Sequence, residues 1–126
     1  MNKGTLFRLA LLGCVVLPLQ NANAGSAVAT DGRGHLTAAY GGPVEREKER
    51  ALEKARRLYG ENFRILASTD VTGYCAIAVS LHPNGYGSII GVSLGNPSAT
   101  QADALAMENC RKAGGTSPKV RWAFRG

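Results

Sequence analysis

Two cysteines and two histidines are the residues of this chain whose chemistry best suits catalysis or metal binding. They are Cys75, Cys110, His35 and His82. A thiolate beside an imidazole makes a nucleophile, and both groups bind zinc. Neither pattern is complete, because the chain has no Cys-x-x-Cys motif and its histidines are distant in sequence. We therefore expect no catalytic residue, no metal site and no cofactor.

The same cysteines raise the question of a disulfide. Cys75 opens a short apolar strand, "CAIAV", and Cys110 lies near the end of a predicted helix. An oxidising compartment favours a bond between them. A regular strand and helix lying side by side would instead place the thiols at opposite ends, whereas a disulfide needs Cα atoms within about 7 Å. Two alternatives stay open, a Cys75–Cys110 disulfide or two buried thiols.

Basic residues gather on the strands expected near residues 63–67 and 120–125. Arg64 lies on or beside one of them, and Lys119, Arg121 and Arg125 on or beside the other. Strand alternation places these side chains on the sheet face opposite the helices. The apolar residues of both strands are then expected in the core: Phe63, Val120, Trp122 and Phe124. An uncovered, cationic sheet face suits an acidic protein surface, and ordinary solubility charge is the alternative.

An internal repeat organises the elements that must position these residues. Residues 25–70 and 73–126 carry four similar blocks in the same order. The pairs are AVAT with AIAV, YGGP with LGNP, ALEKARRLYG with ALAMENCRKAGG, and FRILA with VRWAF. Self-similarity of this kind predicts two tandem copies of one supersecondary unit.

Each copy is expected to form a strand, a strand, a helix and a strand. The turns "DGRG" and "HPNG" predict hairpins. Pro43 suits the start of the first helix, whose exposed side is expected to carry Glu45, Glu47 and Glu49. Either Ser98 with Gln101 or Thr100 with Asp103 can cap the second.

The predicted fold class is α+β. One unit of about 45 to 50 residues cannot bury enough apolar surface alone, so the two units should share one core. We expect a two-layer sandwich in which the two tandem β-β-α-β repeats share one mainly antiparallel sheet. Both helices should then lie on one face of that sheet.

The amino-terminal segment has the pattern of a secretory signal. Lys3 and Arg8 precede an apolar run, Leu9–Leu19, and the small residues of Ala22–Ala24 fit a cleavage site. The run is shorter than the roughly 20 residues of a membrane span, so no transmembrane segment is expected. We predict a signal peptide over residues 1–24, a single domain over 25–126, and a secreted or periplasmic location. Lipidation at Cys14, in "LLGC", is the alternative.

The charge of the chain limits the class of partner. The whole sequence has 15 basic and 9 acidic residues, and because Lys3 and Arg8 leave with the signal, the remainder carries a net charge of +4. A modest positive charge attracts acidic proteins or anionic surfaces but is no nucleic-acid footprint. No nucleic acid is therefore expected as a partner.

The second unit resembles the bacterial domain-of-unknown-function family 4189. The resemblance is carried by the "AIA" strand, the hairpin, and a helix rich in Ala and Leu that ends in Cys and Lys/Arg before Gly-Gly. It covers residues 74–126 and implies a secreted or surface-exposed bacterial protein of unknown activity, with no catalytic residue to assign. Members usually pair the helix cysteine with one soon after it, where this chain has Thr116 and Ser117.

Together these features predict a secreted, non-catalytic protein-interaction module of the inhibitor or immunity type, with another, acidic protein as its partner. One alternative is a small secreted hydrolase that uses His35 or His82. A second alternative is a self-assembling envelope protein that forms a homodimer through an exposed sheet edge.

Overall fold

The computed structural model of this protein describes residues 24–84 and 87–126. The predicted signal peptide, except for Ala24, and Cys14 lie outside the described residues. No helix within the described ranges is long and apolar enough to cross a membrane. The elements in chain order are β1 Ser26–Thr30, β2 Leu36–Tyr40, α1 Val44–Leu58, β3 Arg64–Thr69, β4 Tyr74–Leu81, β5 Ser88–Asn96, α2 Ala99–Lys112 and β6 Lys119–Arg125.

The strands form two antiparallel three-stranded sheets, ordered β2-β1-β3 and β5-β4-β6. The prediction of one shared sheet is therefore wrong, although the α+β class and both hairpins are confirmed. The reason lies in the central strands, where Ala27, Val28 and Ala29 are buried in succession, as are Ala76 and Ile77. A strand buried on both faces needs a covering layer on each side, which one sheet with helices on a single face cannot supply.

Each helix covers the outer face of its own sheet, so the helices do not share one face as predicted. On the first sheet Ala51 packs against Ala27 and Ala29. On the second, Ala106 packs with Ala76. Small side chains on both partners allow the helix backbone to approach the sheet closely. The resulting order of layers is helix, sheet, sheet, helix.

The inner faces of the two sheets meet at the start of their central strands. Ser26 Oγ lies 3.6 Å from Cys75 Sγ, and the rings of Tyr40 and Phe124 stack with centroids 4.7 Å apart. Ile77 points to the same side of its sheet as Cys75 and is buried. The inner faces thus form a third buried region, separate from the two cores beneath the helices.

The helices begin differently but face the sheets in corresponding ways. Pro43 precedes α1, and Ser98 precedes α2, where its side chain accepts a hydrogen bond from the Gln101 N–H group at 3.1 Å. The first of the two predicted caps is therefore formed. Three residues at four-residue spacing are buried in each helix: Glu47, Ala51 and Ala55 in α1, and Ala102, Ala106 and Cys110 in α2.

Candidate functional site

A cleft with a largely apolar lining lies between β2 and β6, where the two sheets border each other. On the opposite side of the molecule β3 and β5 approach each other, with Cα atoms within 8 Å. Between β2 and β6 a space of about 280 Å³ remains. Its walls come from both sheets and from α1, and they are formed by Leu36, Thr37, Ala38, Tyr40, Lys54, Leu58, Ile77, Trp122, Ala123 and Phe124.

Three large apolar side chains of this cleft are unusually open to water. Tyr40 is 47% exposed, Leu58 58% and Trp122 50%. Covering apolar surface gains about 25 cal/mol per Å², and tyrosine and tryptophan are enriched among the residues that dominate binding energy at interfaces. Burial of these side chains by a partner would therefore contribute favourable free energy to binding.

A β-bulge places Trp122 in the cleft. Val120 pairs with Ala78, whose side chain faces α2, while Trp122 pairs with Ile77 on the inner face, and the register shifts between these two pairs. Simple alternation would have put both residues on one side. Arg121 is the extra residue of the bulge. The prediction that Trp122 and Phe124 lie with Val120 in one core is therefore wrong.

The bulge also corrects the alignment of the two units. The same shift occurs in the first sheet between Val28 and Ala29. Counting from it, Leu66 corresponds to Arg121 and Arg64 to Lys119. The alignment of FRILA with VRWAF made Arg64 and Arg121 equivalent residues. The register of the strands shows that they are not.

The basic residues predicted to form one binding face are spread over the molecule. Lys119 and Arg121 line a groove of about 580 Å³ together with His82. Arg64 lies on β3, opposite Thr30 of the first sheet. The guanidinium carbon of Arg125 lies 5.0 Å from the ring centroid of Tyr74. Within the described residues each sheet has a helix on one face and the other sheet on its opposite face, so the uncovered face on which they were expected is absent there.

The two edges that border the cleft differ in how they are protected. β2 and β6 are each the outer strand of their sheet. The Lys54 ammonium donates a hydrogen bond of 2.8 Å to the Ala38 carbonyl of β2, and its stem lines the cleft. On β6, Lys119, Arg121 and Arg125 are exposed. The β2 edge is thus partly occupied by a side chain of the same molecule.

Both described cysteines carry free thiols and are buried. Cys75 faces Ser26 at the inner core, whereas Cys110 lies on the helix side of the same sheet, where its thiol donates to the Ile89 carbonyl at 3.3 Å. Burial raises the pKa of the Cys110 thiol, against a smaller opposing effect of Arg111. The sheet separates the two sulfur atoms, so the Cys75–Cys110 disulfide left open by the sequence is not formed in this structure.

His35 forms an ordered pair with Asp31 at the hairpin between β1 and β2. His35 Nδ1 lies 2.7 Å from Asp31 Oδ2, and Asp31 Oδ1 accepts the N–H groups of Arg33 and His35 at 2.7 and 3.2 Å. Burial alone would raise the pKa of Asp31, but these hydrogen bonds outweigh it and leave that pKa lowered. The His35 ring stacks on Tyr59 with centroids 4.5 Å apart.

The recess beside this pair is lined mainly by polar residues. The adjoining recess of about 300 Å³ is lined by Asp31, Arg33, His35, Tyr59, Gly60, Glu61, Asn62 and Phe63. None of these lining residues has an aliphatic hydroxyl or a thiol that could serve as a nucleophile. His82 Nδ1 accepts the Asn84 N–H at 3.3 Å within its turn. The described ranges contain no group of three or more His, Cys, Asp or Glu residues that could hold a metal ion.

A buried carboxylate was missed by the sequence reasoning. Glu47, expected on the solvated side of α1, is 0% exposed, and its Oε1 accepts a hydrogen bond from Arg50 at 2.9 Å. The lack of a side chain at Gly42 provides space for the carboxylate, since a Cβ atom there would lie 2.5 Å from Glu47 Oε2. The four-residue spacing to Ala51 and Ala55 was the signal that could have placed Glu47 on the buried side.

Comparisons with protein-family models, with curated proteins and with solved structures return no match to this chain.

Proposed function

We propose that this protein is a secreted, non-catalytic protein-interaction module that binds a partner protein in the cleft between β2 and β6. The observation that carries this proposal is the half-exposed Trp122 in a preformed apolar recess. A tryptophan with this much surface in water adds little to the stability of the isolated protein. It adds much to a complex that covers it.

The packing of two cleft residues supports the same proposal. Tyr40 is held by stacking on Phe124 across the two sheets, and Ile77 at the back of the cleft is buried. A partner therefore orders few side chains of this protein when it binds. Preorganisation of this kind lowers the entropic cost of association.

Three further elements belong to the proposal. The signal-like segment over residues 1–24 supports secretion. The matching order of strands, helix and bulge in the two units supports their origin by duplication. The resemblance to domain-of-unknown-function family 4189 agrees with a secreted protein that has no catalytic constellation. An inhibitor or immunity factor is the kind of protein that combines these features.

Affinity capture with matched variants tests the proposed cleft. The bait is the protein from residue 25 onwards, and the extract is the envelope fraction of the source cell. We expect Trp122→Ala to lose the captured partner, because it removes the largest exposed apolar surface of the cleft. Leu105→Ala, which removes a side chain 43% exposed on α2, is the control and should retain it. Equal capture by both variants would refute the cleft as the binding site.

A further inference from the structure

We infer that β6 receives an extended, acidic segment of the partner as an additional strand. This inference rests on the proposed function and specifies the chemistry of its partner. In the order β5-β4-β6, the outer side of β6 pairs with no strand in the described part of the chain. Seven residues, Lys119–Arg125, present that edge. An open edge of this length is a template for strand addition.

Charge determines which kind of strand this edge accepts. Lys119, Arg121 and Arg125 are all exposed, and within residues 24–84 and 87–126 none of them takes part in an ion pair. β6 contains no acidic residue, and neither does the lining of the adjoining cleft. Carboxylates on an added strand would therefore meet cations that form no ion pair within the described residues.

The same charges exclude a second copy of this chain as the occupant. Two β6 edges paired with each other would bring lysine and arginine side chains together across the strands, and like charges directly opposite destabilise a sheet. Cations on an edge strand are a known protection against self-association. The β2 edge is a poorer site, because the Lys54 ammonium already bonds to its Ala38 carbonyl.

The cleft adds a second requirement for the incoming strand. Alternate side chains of a strand point to opposite faces of its sheet. Beside β6, one set would lie over the cleft next to Trp122 and Phe124, and the other set would point away from it. None of the three cations lines the cleft: Lys119 and Arg121 line another groove, and Arg125 pairs with Tyr74 on the helix side. The ligand chemistry that fits both surfaces is an extended segment in which apolar residues beside the cleft alternate with acidic residues.

Synthetic peptides test this inference directly. The probe is a soluble, end-capped peptide in which valine and glutamate alternate, and the comparison peptide carries lysine in place of glutamate. Trp122 is the only tryptophan of the chain, so its fluorescence reports binding. We expect the glutamate peptide to bind saturably with a blue-shifted emission, and the lysine peptide to bind at least about tenfold more weakly. No binding, or equal binding of the two peptides, would overturn the inference.

Charge reversal and backbone methylation separate strand pairing from general attraction. The double variant Lys119→Glu/Arg121→Glu should lose at least about tenfold in affinity, whereas Arg33→Glu/Arg111→Glu, with the same net charge, should not. Methylating the N–H groups of one alternate set of peptide residues should abolish binding, and methylating the other set should not. Equal loss in the two double variants, or no effect of either methylation, would overturn the inference.

The outcome for the proposed function is read from a different experiment. If Trp122→Ala retains the natural partner as well as Leu105→Ala does, the proposed function fails. If Trp122→Ala loses the partner but the peptides show no preference for glutamate, only the strand-addition inference fails. Light scattering of the unliganded protein gives a further check. If it shows a dimer, and the Lys119→Glu/Arg121→Glu variant is a monomer, a second copy occupies β6 and the inference is overturned.

Discussion

Adding one methyl group at Gly91 is expected to destabilise the second half of the protein. Gly91 lies on β5 beneath α2, and a Cβ atom there would lie 2.8 Å from the Cys110 Cα atom and still closer to Ala106 O and Cys110 N. All three are main-chain atoms, so no side-chain rotation can relieve the overlap. The helix must move away from the sheet, and its contacts with Ala76 and Ala78 loosen.

The magnitude follows from the cost of overpacking. Forcing extra volume into a close-packed core costs about 1–3 kcal/mol, and replacing glycine in a strand regains about 0.5–1 kcal/mol. Because main-chain atoms cannot rotate away, the upper part of that range applies, about 2–3 kcal/mol. The net expectation for Gly91→Ala is therefore a loss of about 1–2.5 kcal/mol, or a fall in melting temperature of about 4–20 °C for a domain of this size. Urea unfolding followed by circular dichroism measures it. Ala106→Gly should not rescue the variant, since the overlap involves the Ala106 carbonyl and not its side chain.

Thr37 provides the comparison within the same molecule. Thr37 holds in the first sheet the position that Gly91 holds in the second, because Thr37 pairs with Ala29 and Gly91 with Ala78. The Thr37 hydroxyl donates a 2.8 Å hydrogen bond to the Ala51 carbonyl of α1. The first helix therefore lies far enough away to admit a side chain. Thr37→Ala should cost only about 1 kcal/mol for the lost hydrogen bond. If Gly91→Ala leaves stability unchanged or raises it, the close approach of α2 to β5 is wrong.

Three other expectations follow from buried or hydrogen-bonded groups. Glu47→Gln should lower the free energy of unfolding by about 1–2 kcal/mol, because it weakens a buried charged hydrogen bond whose arginine is half exposed. The control Glu45→Gln, in an exposed pair, should change the free energy of unfolding by less than about 0.5 kcal/mol. Equal losses for the two variants in urea unfolding would contradict this expectation. The lowered pKa of Asp31 means that its stabilisation is complete above its unfolded pKa of about 3.9 and is lost as pH falls through its folded pKa. Asp31→Asn should thus lose stability at neutral pH and show less further loss below about pH 4, and an unchanged acid profile would refute the role of these hydrogen bonds. Finally, iodoacetamide should label Cys75 and Cys110 only after unfolding, and an intact mass two hydrogens lower than that of the reduced chain would show a disulfide instead.

The order of elements could be predicted because it depends on local signals. Turn residues separate the apolar runs, Ser98 caps α2 with its side chain, and apolar spacing marks the helices. The arrangement of the layers could not be read in the same way. The uninterrupted apolar runs around Val28 and Ile77 do indicate burial on both faces, but they do not say whether a helix or a second sheet provides each cover.

The candidate site depended on features with no local signal. Whether a strand contains a bulge is decided by packing on both of its faces, so the change of side between Val120 and Trp122 is not visible in the sequence. Charge patterning likewise misplaced Glu47, because a carboxylate can be buried when an arginine one turn away reaches it. Long-range packing, which overrides local preference, accounts for both errors.

The cleft exists because the two sides of the sandwich differ at corresponding positions. Counting from the bulges, Trp122 corresponds to Ala67 and Phe124 to Thr69, and all four side chains point to the inner faces. Where Ala67 and Thr69 stand, the neighbouring strands β3 and β5 approach closely. Where Trp122 and Phe124 stand, the larger rings cannot be enclosed in the same space, so β2 and β6 flank a recess and Trp122 remains half exposed. The sandwich is therefore open on one side, because two aromatic residues occur on β6 and none on the corresponding strand β3.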